Sequence, residues 1–547
     1  MPLPASGSAW PPVEWAPIMD DLAVWDAWWK GDRDKLRQVY GGLSTSPHPI
    51  RHRRRGIPGL LDRYYWGRQR SEQNSIPPRG DLHIPIAADL CATSADMLYA
   101  TPPAVTVTDD TVSKADAVAI PTRIDDYVDD GLWDQLLGGA ETGAALGGRY
   151  QRVTWDKAIQ PRMPFVTTVD QDHALPEFRW GRLVAVTFWS VLTMDTGLIV
   201  RHVERHELDG AGNGIVLHGV YLGNDQNLGQ QVPFTDYPQT AALATLIGSD
   251  GAVIGPRTPG LNVVYFPNIT PQRRWRGEFP GNDLGRSDLD GVEPLMDALD
   301  ETYSSWMRDL RVGKARIIAS RSALEAAGPN PGDGSVLDYD REVFTPLDYI
   351  GAEKDGQPIT PIEFKLRVEE HERTATDIRH NIISSARYSA ATFGDDVHDT
   401  DITATEVRAR QSRTETTRSR KVRLERPALQ RLLTKMLAVD RAVFGTTQIP
   451  AETPLNIDFG PLVQSSVTDN AATVKALAEA SAISTYMKVV MVHPDWTDDQ
   501  VGEEVARINA DRSTVSDPTD WDMSTPYERT VNTDAAEEDP EADEDEE

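Results

Sequence analysis

The chain has 547 residues, 39% hydrophobic and 7% aromatic, which is long enough for more than one core and apolar enough to exclude disorder throughout. Its 85 acidic against 55 basic residues give a formal charge of −30, which argues against a surface that grips nucleic acid by neutralising phosphates, though not against one that nucleic acid slides past. Cys91 is the sole cysteine, so an intrachain disulfide and a thiolate metal cluster are excluded and a reducing cytosol fits; "MPLPASGSAWPPVEW" has no basic segment or apolar core, and no run approaches about 18 apolar residues, so neither a secretory signal nor a membrane span is expected.

Over 18–40, Leu22, Trp25 and Trp29 fall on one helical face before a break at Gly31-Asp32, and residues 1–80 are expected to form a helical N-terminal arm. Within it "RHRRRGIPGLLDRYYWGRQR" is basic and aromatic, which suits phosphate contact with stacking. In so acidic a chain, a solvated arm lying across a neighbouring acidic subunit fits better. Residues 81–290 read as one α+β domain. "ADLCATSADMLYA" is helical, "AVTVT" alternates as a strand, and a helix is expected over 113–146. Strands follow at "RLVAVTFWSVL", "LIVRHVERHEL", "GIVLHGVYLG" and "LNVVYFPNI", and their alternation predicts an antiparallel sheet with one wet face.

In "DLDGVEPLMDALDETYSSWMRDL", Val292, Met296, Leu299, Tyr303, Trp306 and Leu310 recur at alternating steps of four and three, the seam of a helix that packs lengthwise on another. Asp290 and Glu293 stand as a capping box with Pro294 in the first turn, so a helix is expected over 291–313. Residues 314–361 are rich in turn signals, with short strands at "SVLDYD" and "VFTPLDYIG". A second seam, Phe364, Val368, His371, Ala375, Ile378 and Ile382, marks a helix over 362–387. A polar loop is expected over 388–402. Thr403 and Glu406 then open a long helix to 445, whose first half lacks an apolar stripe, which Pro427 should kink, and whose second half buries Leu429, Leu432, Leu433, Met436 and Val443. Residues 446–511 read as helical, with Thr497 and Gln500 as a further capping box, and 512–547 as an acidic disordered tail.

Signals for chemistry are weak. Asp195-Thr196-Gly197 is the tripeptide of aspartic proteases, but those need two such carboxylates and no second copy exists; a turn between strands explains it. His202, Glu204 and His206 share one face of a strand, a metal-ligand pattern that exposed polar alternation explains equally well. "DGAGNG" precedes a strand, so it fits a hairpin and not a dinucleotide cradle. "HERTATDIRH" offers no histidine four positions after His371, which rules out a zinc-protease helix. No G-x-x-x-x-G-K-[ST] occurs, so any ATP-driven motor is a partner. A hydrolase using Asp195, or a metal at His202 and His206, stands as the alternative function.

The order helix, small β module, helix, polar loop, long helix resembles the portal protein of tailed bacteriophages. The segments "WDAWWKGDRDKLRQVY", "HIPIAADLCATSADMLYATPP", "GRSDLDGVEPLMDALDETYSSWMRDLRVGKARII" and "ASAISTYMKVVMVHPDWTDDQVGEEVARI" resemble portals of siphophages infecting actinobacteria. The resemblance implies an α+β subunit with an α/β wing (81–290), a two-helix stem (291–313 and 362–387), a β-rich clip (314–361), a tunnel loop (388–402), a long kinked tunnel helix (403–445) and a helical crown (446–511). It implies a non-enzymatic virion protein without cofactors, assembled in the host cytoplasm as a dodecameric ring at one capsid vertex. Its partners would be the terminase large subunit, major capsid and scaffolding proteins, head-tail connectors, and double-stranded DNA passing through without sequence preference during packaging and ejection. The tunnel loop would present Tyr388, Phe393, Gly394, Asp395, Asp396 and His398. Acidic residues facing away from the seam, such as Asp297, Asp300 and Glu301, would give a bore that weakly repels phosphate. Arg408, Arg410, Arg413, Arg418, Arg420 and Arg423 depart from that picture: they would either grip DNA or, the preferred expectation, pair with Glu406, Glu415, Glu425 or acidic faces of neighbouring subunits.

Overall fold

A computed structural model describes residues 3–36, 82–107, 114–195, 197–248, 251–312, 316–320, 344–347, 359–362, 366–394, 404–446, 455–460, 474–480, 482–493, 496 and 498–514. They fall into two compact units, Met1–Gly460 and Pro461–Glu547.

In the first unit, α1 (Ala16–Lys30) ends on Gly31, which takes the left-handed conformation at φ +65°. Its tryptophan face is not a free arm. Leu22, Trp25 and Trp28 are buried, Trp25 Nε1 donates to Glu293 Oε1 at 2.8 Å, and Trp29 Nε1 donates to Glu141 Oε1 at 3.0 Å. Apolar cover and carboxylate acceptors together dock the helix on the body. The basic stretch over 51–70 lies outside the described residues. After α2 (Ile86–Tyr99) and β1 (Ala104–Val107), the single helix expected over 113–146 proves to be two, α3 (Lys114–Asp129) and α4 (Leu132–Leu146). Gly131 between them, at φ +89°, cannot continue a right-handed helix.

The single expected sheet is also two. β2 (Gly148–Thr154), β3 (Phe165–Asp170) and β9 (Val263–Pro267) form an antiparallel sheet in the order β3-β2-β9. β4 (Ala174–Arg179), β5 (Arg182–Asp195), β6 (Leu198–Leu208), β7 (Gly214–Gly223) and β8 (Gln230–Val232) form an antiparallel sheet in sequence order. The wet face expected along β6 is absent: Arg201, Glu204, Arg205 and His206 are buried together with Ile199, Val200 and Val203. Alternation of polar residues does not mark solvent here because, among the described residues, most of these charges, Arg201 excepted, are matched inside. Arg205 donates to Glu177 Oε1 at 2.7 Å and to Glu207 Oε2 at 2.9 Å.

α5 (Glu293–Val312) leads to β10 (Arg316–Ser320), the centre of a three-stranded sheet, parallel to β11 (Phe344–Leu347) and antiparallel to β12 (Ile359–Ile362). The second seam helix, α6 (Val368–Ser385), begins later than expected, because Ile359–Ile362 is held in the ladder with β10. α5 and α6 run antiparallel against each other. Trp306 stacks on His371 with centroids 6.1 Å apart, and Asp309 Oδ2 accepts from Arg367 at 2.8 Å and lies 3.0 Å from His371 Nε2.

α7 (Ala404–Val439) runs through Pro427 without a break into a π turn over Asp440–Phe444. β13 (Leu455–Asp458) then pairs antiparallel with β1, so this part of the expected helical end region is a strand of the main body. In the second unit α8 (Thr485–Val492), capped by Ser484 Oγ accepting from Met487 N at 3.2 Å, precedes α9 (Asp498–Thr514). Thr497 lies outside the described residues.

α7 explains its own odd sequence. Thr414, Thr417, Lys421 and Glu425 are buried at steps of three, four and four, and the same face continues through Ala428, Leu432 and Met436. The first half thus carries a buried stripe made of polar groups. The second half joins Leu98, Ile120, Leu136, Phe266 and Ile457 in the core. Lys421 Nζ donates to Asp288 Oδ2 at 2.6 Å, to Asn268 Oδ1 at 2.7 Å and to Ser94 Oγ, while Tyr388 OH donates to Asp288 Oδ2 at 2.8 Å. Asn268 Nδ2 closes the network on Asp288 Oδ1 at 2.9 Å. Four residues on, Glu425 accepts from Arg149 and from Tyr99 OH at 2.6 Å. At the far end Asp440 accepts from Arg123 Nε and from Tyr127 OH, each at 2.6 Å.

Lys421→Met is expected to destabilise the protein by roughly 3–5 kcal/mol, the cost of leaving a buried carboxylate without its cation. Adding Asp288→Leu should recover a large part of that loss, as read from denaturant midpoints; equal midpoints for wild type and Lys421→Met would show that the network carries no stability.

Candidate functional site

The seam of the helix pair is buried at its base and open at its outer end. Val292, Met296 and Leu299 on α5 and Ala375 and Ile382 on α6 are buried, and Ile378 is half-buried. Tyr303 and Trp306, also half-buried, stack on each other at 5.9 Å. Leu310 and Val368 are 37% and 39% exposed, and Phe364 lies outside the described residues. Asp300, expected to face a bore, instead accepts from Ile84 N at 2.9 Å and lies 2.8 Å from His83 Nδ1, where the incoming chain covers α5.

Where α6 hands over to α7, Tyr388 is no solvent-facing loop residue. It is buried in the Lys421 network, and burial, with Asp288 beside it, pushes its phenol well above the ordinary value. A 3-10 turn over Ala390–Phe393 follows, Phe393 meets Tyr388 edge-on at 6.1 Å, and Gly394 turns the chain at φ +78°. Asp395, Asp396 and His398 lie outside the described residues, as do the side chains of Arg408 and Arg410. Arg413 donates to Ser384 Oγ at 2.9 Å and to the Ser384 carbonyl at 2.8 Å. Arg418 donates to the carbonyls of Met97 and Gly460, both at 2.7 Å. Glu425, expected as a partner for these arginines, is taken by Arg149 and Tyr99. Within the chain, then, Arg413 and Arg418 are satisfied by backbone and hydroxyl oxygens. Sequence reasoning missed Lys421, Asp288 and Asn268, although the spacing of Thr414, Thr417, Lys421 and Glu425 was a helical stripe in plain view.

The hydrolase candidates resolve as parts of the five-stranded sheet. Asp195 pairs with Leu198 across a tight hairpin in which Gly197 takes φ +86°. His202 Nε2 lies 3.0 Å from His218 Nδ1 with the rings stacked, and His206 Nε2 lies 2.5 Å from Glu204 Oε1, which also receives Arg152 on its other oxygen. These groups are one another's partners, with His206 Nδ1 left without one among the described residues. Among the described residues, no group of three or more His, Cys, Asp or Glu is placed to hold a metal ion. Burial alone would raise Glu204, yet the His206 hydrogen bond and the charges of His206 and Arg152 hold it well below the usual carboxylate range. Burial pulls His202 down and brings His218 to about 4.

Charge buried to join elements, with a helix pair projecting a small β sheet, defines a structural scaffold of mixed helix and sheet. The family model "Phage portal protein, SPP1 Gp6-like" matches residues 201–517, and the chain belongs to that family. Its function is that of a phage portal protein, a structural and in general non-enzymatic class, and the match supports this and not the hydrolase. Among solved structures the chain is similar to one from the neck of an empty GTA particle computed with C6 symmetry, at 12% identity over 80% of this chain and 99% of that one, TM-score 0.40. It is also similar to a chain from the neck of a native GTA particle computed with C12 symmetry, at 11% identity over 75% and 89%, TM-score 0.33. A third likeness is to the virion of a native gene transfer agent particle, at 11% identity over 80% and 99%, TM-score 0.34. A comparison with curated proteins found no match. Among the described residues, no helix is long and apolar enough to cross a membrane.

The β6–β7 histidines make the body sensitive to acid. His218 at about 4 in the folded chain stands below its unfolded value of about 6.5, so the unfolded chain binds more protons in that window. The stability it contributes is complete above about pH 6.5 and is lost as pH falls toward 4, by roughly 3–4 kcal/mol at most. His218→Gln should flatten the fall of the unfolding midpoint between pH 7 and pH 4; an unchanged slope would show that His218 does not set it.

Proposed function

We propose that this portal protein assembles as a dodecameric ring at one capsid vertex, docks the terminase large subunit and head-tail connectors, meets the major capsid and scaffolding proteins, and conducts double-stranded DNA during packaging and ejection. In this assignment β2–β9 with α2–α4 make the wing, α5 and α6 the stem, β10–β12 the clip, residues 388–402 the tunnel loop, α7 the tunnel helix and the second unit the crown. The observation that carries it is the antiparallel α5/α6 pair, locked at its base to α7 through Asp288, Tyr388 and Lys421 and left open at its outer end around Leu310 and Val368. An exposed apolar seam end on a rigid base suits a heterologous contact that repeats around an axis and closes. The arginines of α7 whose partners are carbonyls and hydroxyls keep their positive charge available to a neighbouring subunit or to DNA.

Negative-stain microscopy and size-exclusion chromatography of the purified protein are expected to show rings many times larger than the 60.5 kDa chain. Solitary particles under every assembly condition would remove the ring. Deleting 393–400 should leave rings intact and lower the packaged DNA per particle, whereas an unaltered phage yield would take the tunnel role away from this loop.

A further inference from the structure

We infer that the cleft between the end of α6 and the first half of α7 is a binding site for the phosphodiester backbone of double-stranded DNA. The cleft, about 560 Å³, is lined by Arg273, Arg387, Arg413 and Arg420 with the hydroxyls of Ser384 and Thr416 among them. Three separate segments bring these guanidiniums together: the chain beyond β9, the exit of α6 and one face of α7. Among the described residues, Arg273 alone of the four has a carboxylate within ion-pair distance. Asp290 reaches Arg273 only at 3.8 Å, Arg413 is occupied by Ser384, and the side chains of Arg387 and Arg420 have no hydrogen bond or ion pair among the described residues. Arg286, 8% exposed and with a side chain equally without a hydrogen bond or ion pair among the described residues, adds a fifth positive charge; burial, then Arg273 and Arg387, lower its pKa, against the opposing charges of Asp290 and Asp288. Like charges gathered in this way repel one another, and a bound anion removes the repulsion.

Arg387 adds a second, independent observation. It occupies the position after the end of α6 at φ +71°, a left-handed conformation that glycine normally fills. Its N–H donates to the Ser384 carbonyl at 3.0 Å, and its own carbonyl accepts from Thr417 Oγ1 at 2.7 Å, so the surroundings hold an arginine where the backbone favours glycine. An arginine held there by the helix end places its charge at the cleft. Guanidiniums mixed with hydroxyls are the donors that contact phosphate and sugar without reading sequence, as a conduit requires. The choice of DNA among polyanions rests on the portal function.

The test uses the full-length protein, a short fluorescently labelled DNA duplex, and anisotropy titrations across salt concentrations, with microscopy of the same samples. Arg387→Gly relieves the backbone while removing the charge, so its unfolding midpoint should not fall. Together with Arg420→Gln it should weaken duplex binding and make the plot of log affinity against log salt shallower by about one for each phosphate no longer neutralised. Unchanged affinity and slope in intact rings overturn the site. Rings that the wild type forms and the double variant does not, with duplex affinity unchanged, assign the cleft to an acidic segment of a second copy and also overturn it. Competition by inorganic phosphate with no duplex affinity in the wild type reduces the cleft to a small-anion site and overturns the DNA assignment. A wild type without rings that still shows the shift in slope supports the site and counts only against the ring.

Discussion

The ammonium of Lys421, buried with the carboxylate of Asp288, is the contact on which the arrangement of the main body depends. Around it meet Ser94 of α2, Asn268 just beyond β9, the approach to α5, Tyr388 at the exit of α6, and α7 itself. Two charges taken from water gain little net stability even when well paired, but an unpaired one costs several kcal/mol. The network therefore acts less as glue than as a register: any slide of the helix pair along α7 would leave a buried charge or donor unmatched. The base of the α5/α6 pair is fixed in this way while its outer seam stays open.

The same logic repeats along α7. Glu425 holds Arg149 and Tyr99, Asp440 holds Arg123, Tyr127 and Thr446, and Lys435 Nζ donates to the carbonyls of Thr258 and Gly260 at 3.1 and 2.7 Å. Between these anchors Leu429, Leu432, Leu433 and Met436 supply apolar burial, each side chain contributing on the order of 1.5–3 kcal/mol. Polar anchors specify position and the leucines supply stability. A helix tied in both ways is a spine for the main body.

Charge is distributed unevenly to the same end. The chain is acidic as a whole, yet arginines from three segments gather where α6 gives way to α7. In the DNA-binding role proposed for the cleft, the net negative charge of the chain disfavours general adhesion and the basic cleft meets backbone phosphates. The histidine, glutamate and arginine set of the five-stranded sheet shows the contrasting use of charge. There His202 meets His218 and Glu204 meets His206 and Arg152 of β2, while Arg201 Nη1 and His206 Nδ1 have no hydrogen-bond partner among the described residues, and the residues that suggested catalysis hold strands together instead.

The helix pair was legible in the sequence, because amphipathic periodicity is local and survives without knowledge of partners; of the small β module between its members only the strand at Phe344–Leu347 was expected, and the expected strand at "SVLDYD" lies outside the described residues. Also legible were the β5, β6 and β7 strands and the apolar half of α7. The break at Gly131, the split into two sheets and the pairing of Leu455–Asp458 with β1 were not, since one glycine's backbone angle and a strand partner some 350 residues away leave no periodic mark. The sequence by itself determined that α7 is a helix and that charged residues crowd its first half. Only the tertiary structure decided that Lys421 and Glu425 are core residues and that Arg387 joins Arg413 and Arg420 in one cleft. A side chain's burial and charge partners depend on what distant segments bring to it, and helical spacing records only which face it shares.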